Sequence, residues 1–400
     1  MSVRQRLDYL DGVRGAAALY VTACHAYLTY ANLFLRRSNG ELGDALLHGM
    51  QWLNYGRSAV AVFIVISGYC LMLPVAQSED GKLAGGTLGF FLRRARRLLP
   101  PYYGALLVSL VLIATVPGMG ESDTSDWHQA FWIQVFPAFT PGVILSHLLL
   151  VHNYNPHWQH AIDYPMWSLA TEWQILLLFP IFVAIWNRAT IGDAVMAAMR
   201  ITLGLQVGLI VFAPDVNPWP PQFVTLFALG MAAATVNYPR SRDPIPARQR
   251  PWGRLAALLF GLYVILEMTV GHWLLGTGRQ QVPDLVVGGG TACLLVYCTG
   301  AVKAGSRPWI LQRFESCLLS GVGKFSYSLY LIHAPVLAVV FLVLQACRIS
   351  CVGTQILMLS LGIALSLLAS YGFHCVFERP FLRSERRPIR FYPTIRTSEG

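Results

Sequence analysis

Charge is what this sequence lacks. Only 12% of its 400 residues are Asp, Glu, Lys or Arg, about half the share of a soluble domain. An ordinary water-soluble globule is thereby excluded. Lysine is nearly absent: three of thirty basic residues are Lys82, Lys303 and Lys324. The net charge of +10 is gathered in short patches between apolar runs. Such placement orients a membrane protein and argues against nucleic acid as a partner. The eight cysteines have no metal-ligand spacing, and six sit within or beside apolar runs, as small soft hydrophobes. Cys347 and Cys351 flank a short loop and would pair only on an oxidising side. Arg4, Arg6, Asp8 and Asp11 precede the first apolar run and no small-residue cleavage site ends it. The first span is therefore expected to be retained. No strong internal repeat is present.

Hydrophobic residues make up 55% of the chain, with a mean hydropathy of +0.49. Runs of about 20 apolar residues are what a helix needs to cross the hydrocarbon core. Ten occur, at 13–34, 57–76, 98–117, 168–187, 194–213, 219–237, 254–275, 284–302, 325–346 and 353–374. The expected fold is all-α, a polytopic membrane protein of about ten transmembrane helices around a central cavity. The charge distribution supports an even number. Even connections and both tails carry Arg93, Arg94, Arg96 and Arg97, the arginines of 240–254, and six more from Arg379 to Arg396. Residues 118–167 carry no Lys or Arg and four acids. Both termini are thus expected to be cytoplasmic, with 118–167 as an extracytoplasmic loop. Its stretches Phe131–Phe136 and Val143–Val151 are too short to span and read as interfacial or re-entrant pieces capping an opening. Residues 238–254 read as a Pro/Arg-rich linker, and 377–400 as a basic cytoplasmic tail lying on anionic lipid.

Polar residues inside the runs are costly, which makes them functional candidates. Arg14 and His25 are eleven residues apart, about three helical turns and roughly 16 Å of rise, so they share a face. Ala17, Ala18 and Val21 between them suggest a slot from one to the other. A histidine near neutrality suits general-base work on a hydroxyl. An arginine suits a phosphate or carbonyl oxygen. Within "FIVISGY", the Ser67–Gly68 pair reads as a close helix crossing, with Ser67 also at the depth of His25. Arg93, Arg94, Arg96 and Arg97 are first a topology lock and second a holder for a phosphorylated donor. Glu172, four residues into its run, is expected near the outer face, binding an acceptor hydroxyl or orienting a histidine. Ser326, Tyr330 and His333 fall at i, i+4 and i+7, one stripe and a candidate pocket wall. His147, His152, His157 and His160 match no zinc pattern. They read as a polar, aromatic-rich surface for a sugar, and no metal is expected. Glu267 stands in no recognisable context.

Taken together, "YLDGVRGAAALYVTACH", "FIVISGY", "RRARRLLPPYY", "WSLATEWQILLLFP", "FALGMAAA", "FSYSLYLIHAP" and "FERPF" resemble the acyltransferase-3 family of integral membrane O-acyltransferases, in the family's order. The resemblance implies ten spans around a pore, forming a membrane domain over residues 1–376. It implies transfer of an acyl group, usually acetyl, from cytoplasmic acyl-coenzyme A, a donor substrate rather than a resident cofactor, to a hydroxyl of a glycan outside. Arg14 and His25 match the family's essential pair; Ser67, Glu172 and His333 match its other recurrent polar positions. A plasma or inner membrane location is implied too. Ile64, Ala334 and the missing aromatic pair after Glu172 depart from the pattern and bear on pocket shape. The chain is expected to be the membrane unit alone, without the esterase-like domain many members carry. His25 can serve as base or as acyl carrier, and both remain open. A rival reading is a transporter or flippase for a sugar-linked or anionic solute, which midplane ionisable groups also suit. The arginine–histidine slot and the lack of a repeat separate the two.

Overall fold

Apolar runs of this length satisfy their backbone groups internally only as helices, and a helix occupies each of the ten. In the computed structural model, residues 7–34, 40–119, 140–212, 220–239, 250–274 and 281–382 are described. The stretch Phe131–Phe136, most of the 238–254 linker and the tail from 383 lie outside them. The helices are α1 (Asp8–Phe34), α2 (Gly56–Gln77), α3 (Gly86–Thr115), α4 (Met166–Arg188) and α5 (Ile191–Phe212). They continue as α6 (Gln222–Asn237), α7 (Trp252–Leu274), α8 (Gln281–Lys303), α9 (Ser326–Ala346) and α10 (Cys351–Leu382). Among the described residues, seven helices are long and apolar enough to cross a membrane. The other three are α1 with its acids and arginine, α5, and α6, sixteen residues long and nearly all buried. No strand occurs among the described residues. The protein is an all-α, multi-pass membrane protein.

Two backbone crossings hold the interior together. Gly68 of α2 meets the Phe227 carbonyl of α6, and Gly230 of α6 meets the Val65 carbonyl of α2, leaving no room for a Cβ at either glycine. Small residues at such crossings let helix backbones approach within a membrane, as the Ser-Gly pair suggested. Gly12 and Gly15 of α1 lie in the same way against the carbonyls of Phe314 and Leu319, in two short helices before α9. Alanine at Gly68 is expected to cost about 1–3 kcal/mol through overpacking. Alanine at Gly261, with nothing within 4 Å, should cost nothing. Recovery of monodisperse protein after detergent extraction compares the two.

α3 is 30 residues long, about 45 Å, against a hydrocarbon core of about 30 Å. Its first turns, with Arg93 to Arg97, therefore project from the bilayer. Gly85 and Gly86, both at φ +69°, make the turn that starts it. α10 is broken by two π turns, Met358–Gly362 and His374–Glu378, a distortion common at functional sites. It runs on to Leu382, past the expected start of the tail, with Phe377 packed on Gly104 of α3.

The segment before α4 dips into the protein. Thr140 caps a short helix, Pro141–Leu148, and the chain reverses at Leu150, at φ +54°. Tyr102 and Tyr103 of α3 donate to the carbonyls of His147 and Leu148 (2.9 and 2.8 Å). These tyrosines lie thirteen and twelve residues before the end of α3, so the tip reaches about 20 Å below that end. Gln174 of α4 donates to the Leu150 carbonyl (2.9 Å), and Asn153 donates to Thr171 (3.0 Å). The piece around Val143–Val151 is re-entrant, and α4 starts well inside the membrane.

Candidate active site

Where α1, α2, α3, α4, α9 and the end of α10 converge, a cavity of about 590 Å³ opens on the face carrying the α3 arginines. Arg14, Arg94, Arg97, Lys324 and Arg379 supply its cations, with Asp11, Glu172 and Glu378 as its acids. Helical spacing sorts the arginine cluster. Arg94 and Arg97, at i and i+3, line the cavity, whereas Arg93 and Arg96 are exposed and absent from its wall. Arg93 turns back to the carbonyl of Ala84. Two of the four arginines expected at this mouth thus line the cavity, and Arg93 and Arg96 are left to the surface.

Arg14 is held from two sides. Its guanidinium lies 3.5 Å from Asp11, one turn below, and donates to Cys70 Sγ of α2 at 3.2 Å. Its side chain keeps 24% exposure, so it is a wet cation rather than a buried one.

Glu172 departs from its expected place. Ser67 Oγ donates to Glu172 Oε1 at 2.7 Å, and both line the cavity of Arg14. The acid is therefore on the basic side of the centre rather than at the outer face. The re-entrant segment is the cause: it lets α4 begin deep, so six residues from its start lies far from the outer boundary. Ser67 likewise belongs to the Arg14 cavity and not to a pocket around His25.

His25 pairs with His333 across 308 residues of sequence. Their rings stack at 4.9 Å and 9°, with His25 Nδ1 2.7 Å from His333 Nε2. His333 is fully buried, and its Nδ1 lies 2.9 Å from the Leu329 carbonyl. A carbonyl only accepts, so His333 Nδ1 carries its proton and, in the neutral ring, Nε2 accepts. His25 Nδ1 must then donate to it. This leaves the lone pair of His25 on Nε2. The half-buried His25 ring also meets the ring of Tyr164 edge-on at 5.5 Å.

Tyr330 bridges the two parts. It lines the cavity, stands 5.8 Å from the His333 ring and 5.9 Å from Phe63, and shares a 2.6 Å hydrogen bond with Ser168. Ser326, on the same stripe, also lines the cavity. The lining stops at Tyr330, short of His25. No open slot runs along α1: Ala17, Ala18 and Val21 are packed to 7%, 1% and 2% exposure. Beyond Arg14, residues of α2, α4 and α9 wall the cavity instead.

Of the four outer-loop histidines His157 is exposed and His160 half-buried, whereas the other two belong to the interior. His147 and His152 are fully buried and stacked at 3.9 Å inside the re-entrant segment, and His160 stacks on Tyr164 at 4.2 Å. Among the described residues, no group of three metal-ligating side chains occurs. Glu267 of α7 lies near the start of α2, where Tyr55 donates to its backbone carbonyl (3.4 Å). Cys347 and Cys351 are free thiols.

Sequence reasoning passed over Tyr327, Lys324 and the His374–Glu378 pair. Glu378 accepts from Ser328 (2.5 Å) and contacts His374 (2.8 Å) in the cavity wall. The acid inside "FERPF" at the end of the last apolar run was the available signal.

A family profile described as an acyltransferase domain matches residues 7–375. The chain is similar to the acyltransferase MdmB of Streptomyces mycarofaciens, 24% identical over 99% of this chain and 97% of that one. It is also similar to the peptidoglycan O-acetyltransferase OatA of Listeria monocytogenes, 23% identical over 86% of this chain. It spans about half of that relative's length, 51%. No solved structure matches significantly.

Proposed function

The chain belongs to the acyltransferase-3 family, and from that premise we propose that it moves an acyl group from acyl-coenzyme A to a hydroxyl of a glycan. The observation that carries this reading is the His25–His333 pair, which puts a basic nitrogen one aromatic ring beyond a cationic cavity. The donor's phosphates sit against Arg14, Arg94, Arg97 and Lys324 at the basic mouth. Arginine matches phosphate oxygens with a fork of donors. The pantetheine arm passes Phe63 and Tyr330 towards His25, a distance comparable to the roughly 16 Å from Arg14 to His25 along α1.

His25 Nε2 takes the proton of the acceptor hydroxyl as its oxygen attacks the thioester carbonyl. The carbon–sulfur bond breaks, and the leaving thiolate recovers that proton from Nε2. No proton is gained or lost. The tautomer set by His333 favours the base role for His25. The acceptor enters from the opposite side, where Tyr164 meets His25. The basic mouth then faces the cytoplasm of a plasma or inner membrane, with both termini on that side.

Purified protein incubated with radiolabelled acetyl-coenzyme A should release free thiol and label an added oligosaccharide. No thiol release with any sugar acceptor would defeat the reading. Glutamine at both Arg94 and Arg97 should raise the donor KM by about 10- to 100-fold, each lost charge-assisted contact being worth about 1.5–3 kcal/mol before solvent screening. Glutamine at Arg93 and Arg96 should leave KM unchanged.

A further inference from the structure

A second, larger cleft opens on the same basic face, beyond a smaller pocket that shares Asp11 and Lys324 with the Arg14 cavity and Ser306 with the cleft. Its volume is about 1400 Å³, and it lies between the first turns of α7 and the last turns of α8. α7 packs chiefly on α8. Its middle is tied to α2 by the 2.6 Å contact of Tyr263 with Ser58, and its first turn meets α8 where Gly253 lies against the Tyr297 ring. Small residues line the cleft on both sides: Ala256 and Ala257 on α7, Gly300 and Ala301 on α8, and Ala304 just after it.

Polarity in the cleft is graded. At the rim are Arg250, Arg254 and Lys303, with no carboxylate anywhere in the lining. Lys303 is fixed there by donating to the Asn237 carbonyl (2.6 Å) and lies 4.3 Å from the centre of the Tyr238 ring. Deeper, the lining becomes apolar as far as Phe260 and Leu294. Lys303 to Leu294 is nine residues of helix, about 13 Å, close to the depth of one leaflet, half of about 30 Å.

We propose that this cleft binds one anionic phospholipid of the adjoining leaflet. Its headgroup phosphate rests on Arg250, Arg254 and Lys303, and an acyl chain lies between α7 and α8. Three cations with no carboxylate among the described lining residues select an anionic head over a zwitterionic one. The apolar depth selects a lipid over a soluble phosphate. A lipid there completes the packing of the inner half of α7.

The test uses the full chain in neutral detergent, titrated with phosphatidylglycerol or phosphatidylcholine and read by native mass spectrometry and thermal melting. Phosphatidylglycerol should bind at one copy per chain and raise the melting temperature; phosphatidylcholine should do neither. Replacing Arg250, Arg254 and Lys303 with glutamine should weaken the binding by about 100-fold. An Ala257→Phe variant, which keeps the cations and fills the apolar slot, should also lose it. Equal effects of both lipids, or phosphatidylglycerol binding retained in both variants, would overturn the proposal. So would glycerol phosphate binding as tightly as the lipid, or displacement of the lipid by coenzyme A.

Discussion

Alanine at position 25 is expected to lower acyl transfer by about 10²- to 10⁴-fold, the usual contribution of a positioned general base. Its Nε2 carries the lone pair because Nδ1 donates to His333, whose own Nδ1 donates to a backbone carbonyl. The fold should survive, since the hydrogen bond that the half-buried ring shares with His333 is worth about 1 kcal/mol. Thiol release and acceptor labelling, compared at equal amounts of monodisperse protein, measure the effect. An unchanged rate would remove His25 from the chemistry. A drop confined to the acceptor KM would make it a binding residue.

Leucine at position 333 should cost nearly as much, although this side chain meets His25 and not the cavity. Without an acceptor for its Nδ1 proton, His25 can place the proton on Nε2, the nitrogen that has to be bare. A catalytic histidine held in the wrong tautomer loses up to about 10⁴-fold in turnover. The loss should fall on kcat and leave the donor KM unchanged, because Arg14, Arg94 and Arg97 are untouched. Glutamine at 333 offers a carbonyl oxygen to the same Nδ1–H and should restore part of the rate. A structural role alone would give equal loss with leucine and glutamine, or would raise the donor KM as well.

How far these features could be read beforehand differs from residue to residue. The helices were legible because membrane crossing imposes run length and backbone satisfaction, which a sequence displays directly. Arg14 and His25 were legible as a pair because one helix carries both. Helical spacing pairs Arg94 with Arg97 and equally Arg93 with Arg96, and only the packing of neighbouring helices decides that the first pair turns inward. Glu172 was misplaced because depth had been counted from a presumed outer boundary. A re-entrant turn stabilised by Tyr102, Tyr103 and Gln174 moves that boundary, and nothing local announces such contacts. The open slot expected beside Ala17 and Val21 failed for a related reason. Small side chains leave space only if no neighbour fills it, and other helices close in on both residues. The His25–His333 hydrogen bond joins the first run to the ninth, and no spacing rule connects them.

The rings of Phe63 and Tyr330, 5.9 Å apart at the inner end of the cavity, set a condition on traffic. At that spacing the two rings touch edge to face, so an acyl arm passes only if one of them turns aside. Spontaneous hydrolysis of the donor is the leak that would drain such a catalyst whenever sugar is scarce. In the proposed reaction, this closed pair of rings would hold that leak down until the arm displaces one of them.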